Sequence, residues 1–125
     1  MTQGSALPIA LAYFDASASK DIDLAMSFIA DDITCDAPAG HIEGPPGYRG
    51  FLESFSKLLK RSELIASFGD DHEAILLYDN ETIPVPSAPS AGHFVVVDGK
   101  ITSIRFIFDR LPYEAVAQAA QAANA

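Results

Sequence analysis

The chain has 125 residues, 49% of them hydrophobic and 20% charged, a globular balance that excludes a disordered or low-complexity protein and is enough for one domain with one core. Seventeen acidic residues against eight lysines and arginines leave a formal net charge of -9; the acidity serves solubility, and its field repels phosphate backbones and anionic membranes, which excludes nucleic acid and membrane surfaces as partners. The lone Cys35 excludes an internal disulfide and fits a reducing compartment, with the thiol a small buried apolar residue.

Leu7, Ala10, Leu11 and Phe14 fall at helical spacing, with Ser5 placed to cap and Pro8 tolerable in the first turn, so a first helix is expected from about residue 6 to 18. Tyr13 sits beside that stripe. No Lys or Arg precedes Lys20, and Pro8 and Asp15 interrupt the apolar run, so the segment does not read as a signal peptide; no run reaches the ~20 apolar residues of a spanning helix. Cytoplasmic residence is the default. Asp21 can cap a second, short helix with Ile22, Ala25, Met26 and Ile29 on one face, ended by Asp31 and Asp32. Ile33 to Ala37 then alternate like a strand, and Pro38, Gly40 and Gly44 break it.

Pro45 and Pro46 open a third helix in which Phe51, Phe55, Leu58 and Leu59 share a face. From there the period drops to two, with strands expected at residues 64 to 68, 73 to 80, 92 to 97 and 100 to 109, turns at Gly69-Asp70-Asp71 and a hairpin at Asp98-Gly99. Residues 83 to 90 hold three prolines and read as a loop between strands. The Ala-rich tail, residues 114 to 125, has helical propensity and a thin apolar side. Three helices followed by strands make an α+β domain with the helices on one side of a mainly antiparallel sheet. His93, Val95, Val97, Ile104, Phe106 and Phe108 form one expected face of the last two strands, yet Phe94, Val96 and Ile107 on the other are also apolar. A sheet with one wet face alternates more cleanly, so a second copy is expected to cover the outer face as a homodimer.

Tyr13 followed eight residues later by Asp21, then IADDIT, a short strand ending in P-x-G at Pro38 and Gly40, the switch from helical to alternating period, VDGKI and a closing aromatic strand ending in FD together resemble the SnoaL-like branch of the NTF2-like superfamily, from about residue 6 to 113. The resemblance implies one SnoaL-like domain over the whole chain, with the tail appended. It further implies a cystatin-like cone, a strongly curved sheet round the helices with a deep apolar cavity, dimerisation through the outer sheet face, and chemistry without a cofactor. Against ketosteroid isomerase, the oxyanion tyrosine is matched by Tyr13 and the pocket tryptophan becomes Phe108. The carboxylate base falls at Ala37, two supporting tyrosines fall at Ile29 and Leu52, and the acidic donor falls at His93. Asp36 is the nearest carboxylate, but alternation turns it away from Ala37. Against limonene epoxide hydrolase, Ile75 to Asn80 contain no arginine and the final aspartate falls at Phe106. Neither of those two activities is expected.

Tyr13 and His93 are the candidate catalytic residues, a phenol that can hold a ligand oxygen and an imidazole that can move a proton near neutral pH. Cys35, Ala37, Phe55, Val95, Phe106 and Phe108 are the expected pocket lining for a small, largely hydrophobic carbonyl or polycyclic compound. Asp109 suits a turn or helix cap. Asp70, Asp71, His72 and Glu73 suit a solvated turn, and His41 with Glu43 lacks a third ligand, so no metal is expected; no glycine-rich phosphate loop is present. Two readings stay open: an isomerase, cyclase or dehydratase-type proton transfer, or a non-catalytic ligand-binding or assembly module.

Overall fold

The structure, a computed structural model, describes residues 5–38, 40–83 and 85–109. Its elements in chain order are α1 (Ala6–Ala18), α2 (Ile22–Met26), β1 (Ile29–Ala37), β2 (Gly40–Glu43), α3 (Pro45–Leu58), β3 (Leu59–Gly69), β4 (Glu73–Thr82), β5 (Ala88–Val97) and β6 (Lys100–Phe108). The strands form one mixed sheet in the order β2-β1-β6-β5-β4-β3, in which only β1 and β6 run parallel. This is an α+β fold with three helices and six strands. The strong curvature expected of the sheet is not observed; the irregularities that bend a strand lie in the β1–β6, β3–β4 and β5–β6 ladders, while the central β4–β5 ladder runs through eight consecutive pairs without one. The Ala-rich tail lies outside the described residues.

α1 packs on β3, β4, β5 and β6, while α3 packs on β1 and β2 and closes the layer with α2. The buried face of α1 is Ala6, Ala10, Tyr13 and Ala16. Three alanines let the helix sit close to the sheet, and the larger Leu7, Leu11 and Phe14 flank that seam half-buried. Ser5 does not cap the helix with its side chain. Its backbone N–H and hydroxyl instead donate to Asp71 Oδ1 and Asp71 O, each at 3.1 Å, tying α1 to the β3–β4 turn. In that turn Asp70 accepts the N–H groups of His72 and Glu73 at 2.8 and 2.9 Å, so the acidic cluster is turn chemistry.

Several strands are longer than their sequence pattern. α2 ends at Met26 and β1 starts at Ile29, where parallel pairing with Ile101 holds the chain extended through the exposed Asp31 and Asp32. The Pro38–Gly40 break turns out to be a reversal, pairing Ala37 with Gly40 and adding the short β2. β3 begins immediately after α3, because Leu59 through Glu63 pair along β4 despite their polar character. β5 begins at Ala88, inside the expected loop. Pro89 is tolerated because it faces Asp79 of β4 on one side, while β6 ends at Phe108 opposite Ser90 and demands no N–H from residue 89.

The β5–β6 hairpin carries the largest correction. A regular ladder from the Asp98-Gly99 turn would put His93 opposite Ile104, with Val95 and Phe106 on the same face. The observed pairs are Val96 with Ile101 but Val95 with Ser103, so Thr102 is an extra residue in β6. One bulged residue reverses the facing of everything beyond it. Phe94 therefore pairs with Ile104, and His93 with Arg105. Gly92, Phe94 and Val96 point to the helices, whereas His93, Val95 and Val97 point away from them.

Candidate functional site

Between the helices and the inner face of β3 to β6 lies a cavity of about 240 Å³. For scale, benzene fills an apolar cavity of roughly 150 Å³, so this one suits a molecule of one or two rings. Its wall is aromatic. Phe51 and Phe55 of α3 stack at 6.3 Å, Phe51 meets Phe106 at 5.8 Å, and Phe94 meets Phe106 edge-on at 6.3 Å. Phe108 and Leu58 extend the same wall.

Tyr13 is the principal polar group of the α1 side. It is buried, lines the cavity, and its hydroxyl shares a short hydrogen bond with that of Tyr48, which is fully buried on α3 and does not line the cavity. Among the described residues Tyr13 is the hydrogen-bond partner of Tyr48. Donation from Tyr48 to Tyr13 Oη therefore satisfies the deeper proton and leaves the Tyr13 proton for the cavity. Burial drives both phenol pKa values up; for Tyr13 the hydroxyls of Tyr48 and Ser17 offset part of the rise, while Cys35 adds to it. Both phenols are neutral donors at physiological pH.

Of the residues expected at the site, the structure brings Tyr13, Phe55, Phe106 and Phe108 to the cavity. Cys35 is fully buried in the core, opposite Ile42 and Ile104, and is not part of the described wall. Burial first, and then Asp36, pushes its thiol up to about 12, so it stays protonated. Ala37 lies half-buried at the end of β1, also away from the wall. The bulge at Thr102 puts Ile104 and Phe106 on the opposite face from Val95 and His93, which alternate with the buried Phe94 and Val96 and so lie on the far side of the sheet. There His93 Nε2 lies 2.7 Å from Glu73 Oε1, with Ile75 and Arg105 as cross-strand neighbours. Tyr13 and His93 do not converge on one volume.

Asp36 faces outward, as alternation requires, and meets His41 Nδ1 at 2.7 Å; His41 Nε2 meets Glu43 at 2.9 Å. These hydrogen bonds, that to Asp36 the larger, raise the His41 pKa, and both ring nitrogens are occupied. Among the described residues no group of three or more His, Cys, Asp or Glu side chains is arranged to hold a metal ion, and no helix is long and apolar enough to cross a membrane. The described cavity wall contains phenols, hydroxyls and one amide, but no carboxylate, imidazole or amine.

Tyr48, Phe94 and Asn80 are the site residues that pattern alone did not single out. Tyr48 stands one and two turns before Leu52 and Phe55 on the buried side of α3, a spacing that marks it as inward. Phe94 was hidden by the bulge. Its ring lies over Gly92, where a Cβ would stand 2.8 Å from Cε1 and 2.9 Å from Cζ of that ring. Phe94 is only 1% exposed, so the ring cannot swing clear. Gly92→Ala is expected to destabilise the fold by about 1–3 kcal/mol, measured by urea unfolding; an unchanged midpoint would show that the ring yields freely.

The SnoaL-like domain family matches residues 10–104. A crystal structure of a protein from Kribbella flavida DSM 17836 is similar at 48% identity, with a TM-score of 0.91 over 94% of this chain and 97% of that one. An NTF2-like protein from Cytophaga hutchinsonii ATCC 33406 is 22% identical, with a TM-score of 0.79 over 90% of this chain and 97% of that one. A candidate polyketide cyclase from Sinorhizobium meliloti is 20% identical, with a TM-score of 0.73 over 80% of this chain and 94% of that one. A search of curated proteins finds no match. With three helices over a six-stranded mixed sheet and a family match across most of its length, the chain belongs to the SnoaL-like family, on the NTF2-like fold.

Proposed function

We propose that this SnoaL-like protein binds a small, largely apolar one- or two-ring carbonyl compound in the aromatic cavity, with Tyr13 donating a hydrogen bond to the ligand oxygen. The observation that carries this reading is the Tyr48–Tyr13 pair, a buried relay ending at a largely aromatic wall. A donor that is itself a hydrogen-bond acceptor is polarised and strengthened in a dry site. The candidate polyketide cyclase among the fold neighbours is in keeping with an oxygenated ring compound as ligand. The lone cysteine supports cytoplasmic residence, and the apolar outer sheet face supports a homodimer.

The same relay favours a second reading, catalysis of an isomerase, cyclase or dehydratase type. Two phenols in series can stabilise an oxyanion as it develops on a carbonyl. The described wall supplies no base, and His93 stands across the sheet from the cavity, so His93 is given no part in either reading. Such catalysis would be confined to substrates acidic enough to lose a proton to water or to a group of their own.

Calorimetric titration with α-tetralone, a bicyclic ketone, tests the binding. It should bind one molecule per chain, Tyr13→Phe should weaken it roughly tenfold, the worth of one buried hydrogen bond, and His93→Gln should leave it unchanged. Lack of binding at millimolar ketone, or indifference to Tyr13→Phe, would overturn the assignment. Deuterium uptake at the carbon next to the carbonyl, followed by NMR in heavy water, separates the two readings: acceleration that disappears in Tyr13→Phe marks catalysis, and binding without acceleration marks a ligand carrier.

A further inference from the structure

The cavity has a second polar point. Asn80 of β4 is 8% exposed and lines the wall next to Ser62 of β3, its cross-strand partner. The Ser62 hydroxyl donates to Asn80 Oδ1 at 2.5 Å. Ser90 of the neighbouring β5 spends its hydroxyl on Ala88 O at 2.8 Å, and Tyr78 of β4 lines the same wall. That leaves the Asn80 side-chain NH₂, which has no hydrogen-bond partner among the described residues and is not sealed from the cavity.

A primary amide in an apolar wall is costly unless its hydrogens find acceptors. Leucine would fill the same place without that cost. The bond from Ser62 also fixes the amide plane, so the NH₂ is held in position rather than left to rotate. On the α1 side of the cavity the free group is likewise a donor, the proton of Tyr13. Besides the Ser17 and Tyr78 hydroxyls of the same wall, the cavity therefore offers the Tyr13 proton and the Asn80 NH₂ as hydrogen-bond donors across an aromatic span, and within the described wall no ionised group competes for them.

We infer that Asn80 is a specificity-determining residue: its NH₂ donates to a second oxygen of the ligand, so that the site selects ring ketones bearing another oxygen acceptor away from the carbonyl held by Tyr13. This rests on the ketone-binding reading above and adds to it the substrate class. An unpaired amide is also an active means of rejection. A ligand with one oxygen leaves the NH₂ desolvated, and that penalty, more than the new bond itself, separates the two kinds of molecule.

The test compares α-tetralone with its monomethoxy derivatives on the aromatic ring, titrated into the full chain. At least one methoxy isomer, whose ether oxygen can only accept, should bind roughly tenfold more tightly than the parent ketone, and that preference should vanish in Asn80→Leu and in Asn80→Asp. The aspartate variant keeps an acceptor for Ser62 while removing the donor, so it reports on recognition even where the leucine variant folds poorly. If α-tetralone binds in a Tyr13-dependent manner but no methoxy isomer gains, or if the gain survives either Asn80 variant, the role of Asn80 is overturned while the cavity assignment stands. Failure of every ketone to bind overturns both.

Discussion

Phe94→Ala is expected to lower the unfolding free energy by about 3 kcal/mol, the low end of the 3–5 kcal/mol usual for a buried phenylalanine. Phe94 is 1% exposed, its ring centroid lies 5.7 Å from that of Tyr13 and 6.3 Å from that of Phe106, and its ring covers Gly92. It is thus wedged between α1 and the sheet at the point where helix, strand and cavity meet. Truncation removes those contacts and merges the vacated space with a hollow that α1 and α3 already hold open, so collapse cannot recover them. The loss stays at the low end because one side of the ring already borders the cavity and has fewer atoms to lose. By contrast Tyr48→Phe removes one hydrogen bond and should cost only about 1 kcal/mol. Urea unfolding at fixed protein concentration measures both. A cost below about 1 kcal/mol for Phe94→Ala would mean that the ring does not hold α1 to the sheet.

The elements legible in the sequence were those whose periodicity is undisturbed along their length. α1, α3 and β4 fall close to where their patterns put them, because each buries one continuous face; β6 keeps its bounds because the Asp98-Gly99 turn sets its start, although the extra residue Thr102 breaks its alternation. The first half of β3 was not legible: Lys60, Arg61 and Glu63 carry no hydrophobic signal, and the strand exists because β4 offers them a ladder. The start of β1 through Asp31 and Asp32 is likewise a tertiary effect, dictated by parallel pairing with β6. At the site the consequence is uneven. Tyr13, Phe55, Phe106 and Phe108 lie on elements whose facing survives, and all four reach the cavity. His93 and Val95 are expected on one face with Ile104, Phe106 and Phe108, and a single extra residue in β6, Thr102, puts the two groups on opposite faces. Thr102 Oγ1 donates to Val95 O at 3.4 Å, a contact visible only once both strands are folded. Tyr48 and Asn80 carry the functional proposals, yet spacing shows at most that Tyr48 faces inward, because a tyrosine in a helix and an asparagine near a strand end acquire a role only from the partners facing them.

The other large effect is expected on assembly. Pairing across β3, β4, β5 and β6 lines up Ala66, Leu77, Ala91 and Ile107 in one row on the face turned away from the helices, and Phe68, Ile75, His93 and Arg105 in the next. The first row is wholly apolar, and its two alanines leave shallow places into which larger side chains of a facing sheet can fit. Phe68 is 70% exposed, Ile107 60% and Ile75 49% in the isolated chain, a clustering that a lone soluble surface does not favour. Alternation with the buried Phe94 places His93 here too, with its Glu73 contact polar at the border of the patch. If a second copy covers this face about a two-fold axis, every substitution enters the interface twice. Leu77→Asp combined with Ile107→Asp then buries four carboxylates at no less than about 2 kcal/mol each, raising Kd roughly 10⁵- to 10⁶-fold. Sedimentation at micromolar concentration should find the unaltered chain dimeric and the double variant monomeric, with the circular dichroism of both alike because neither side chain is in the core. An unaltered chain that sediments as a monomer removes the dimer, and a double variant that remains dimeric moves the interface to another face.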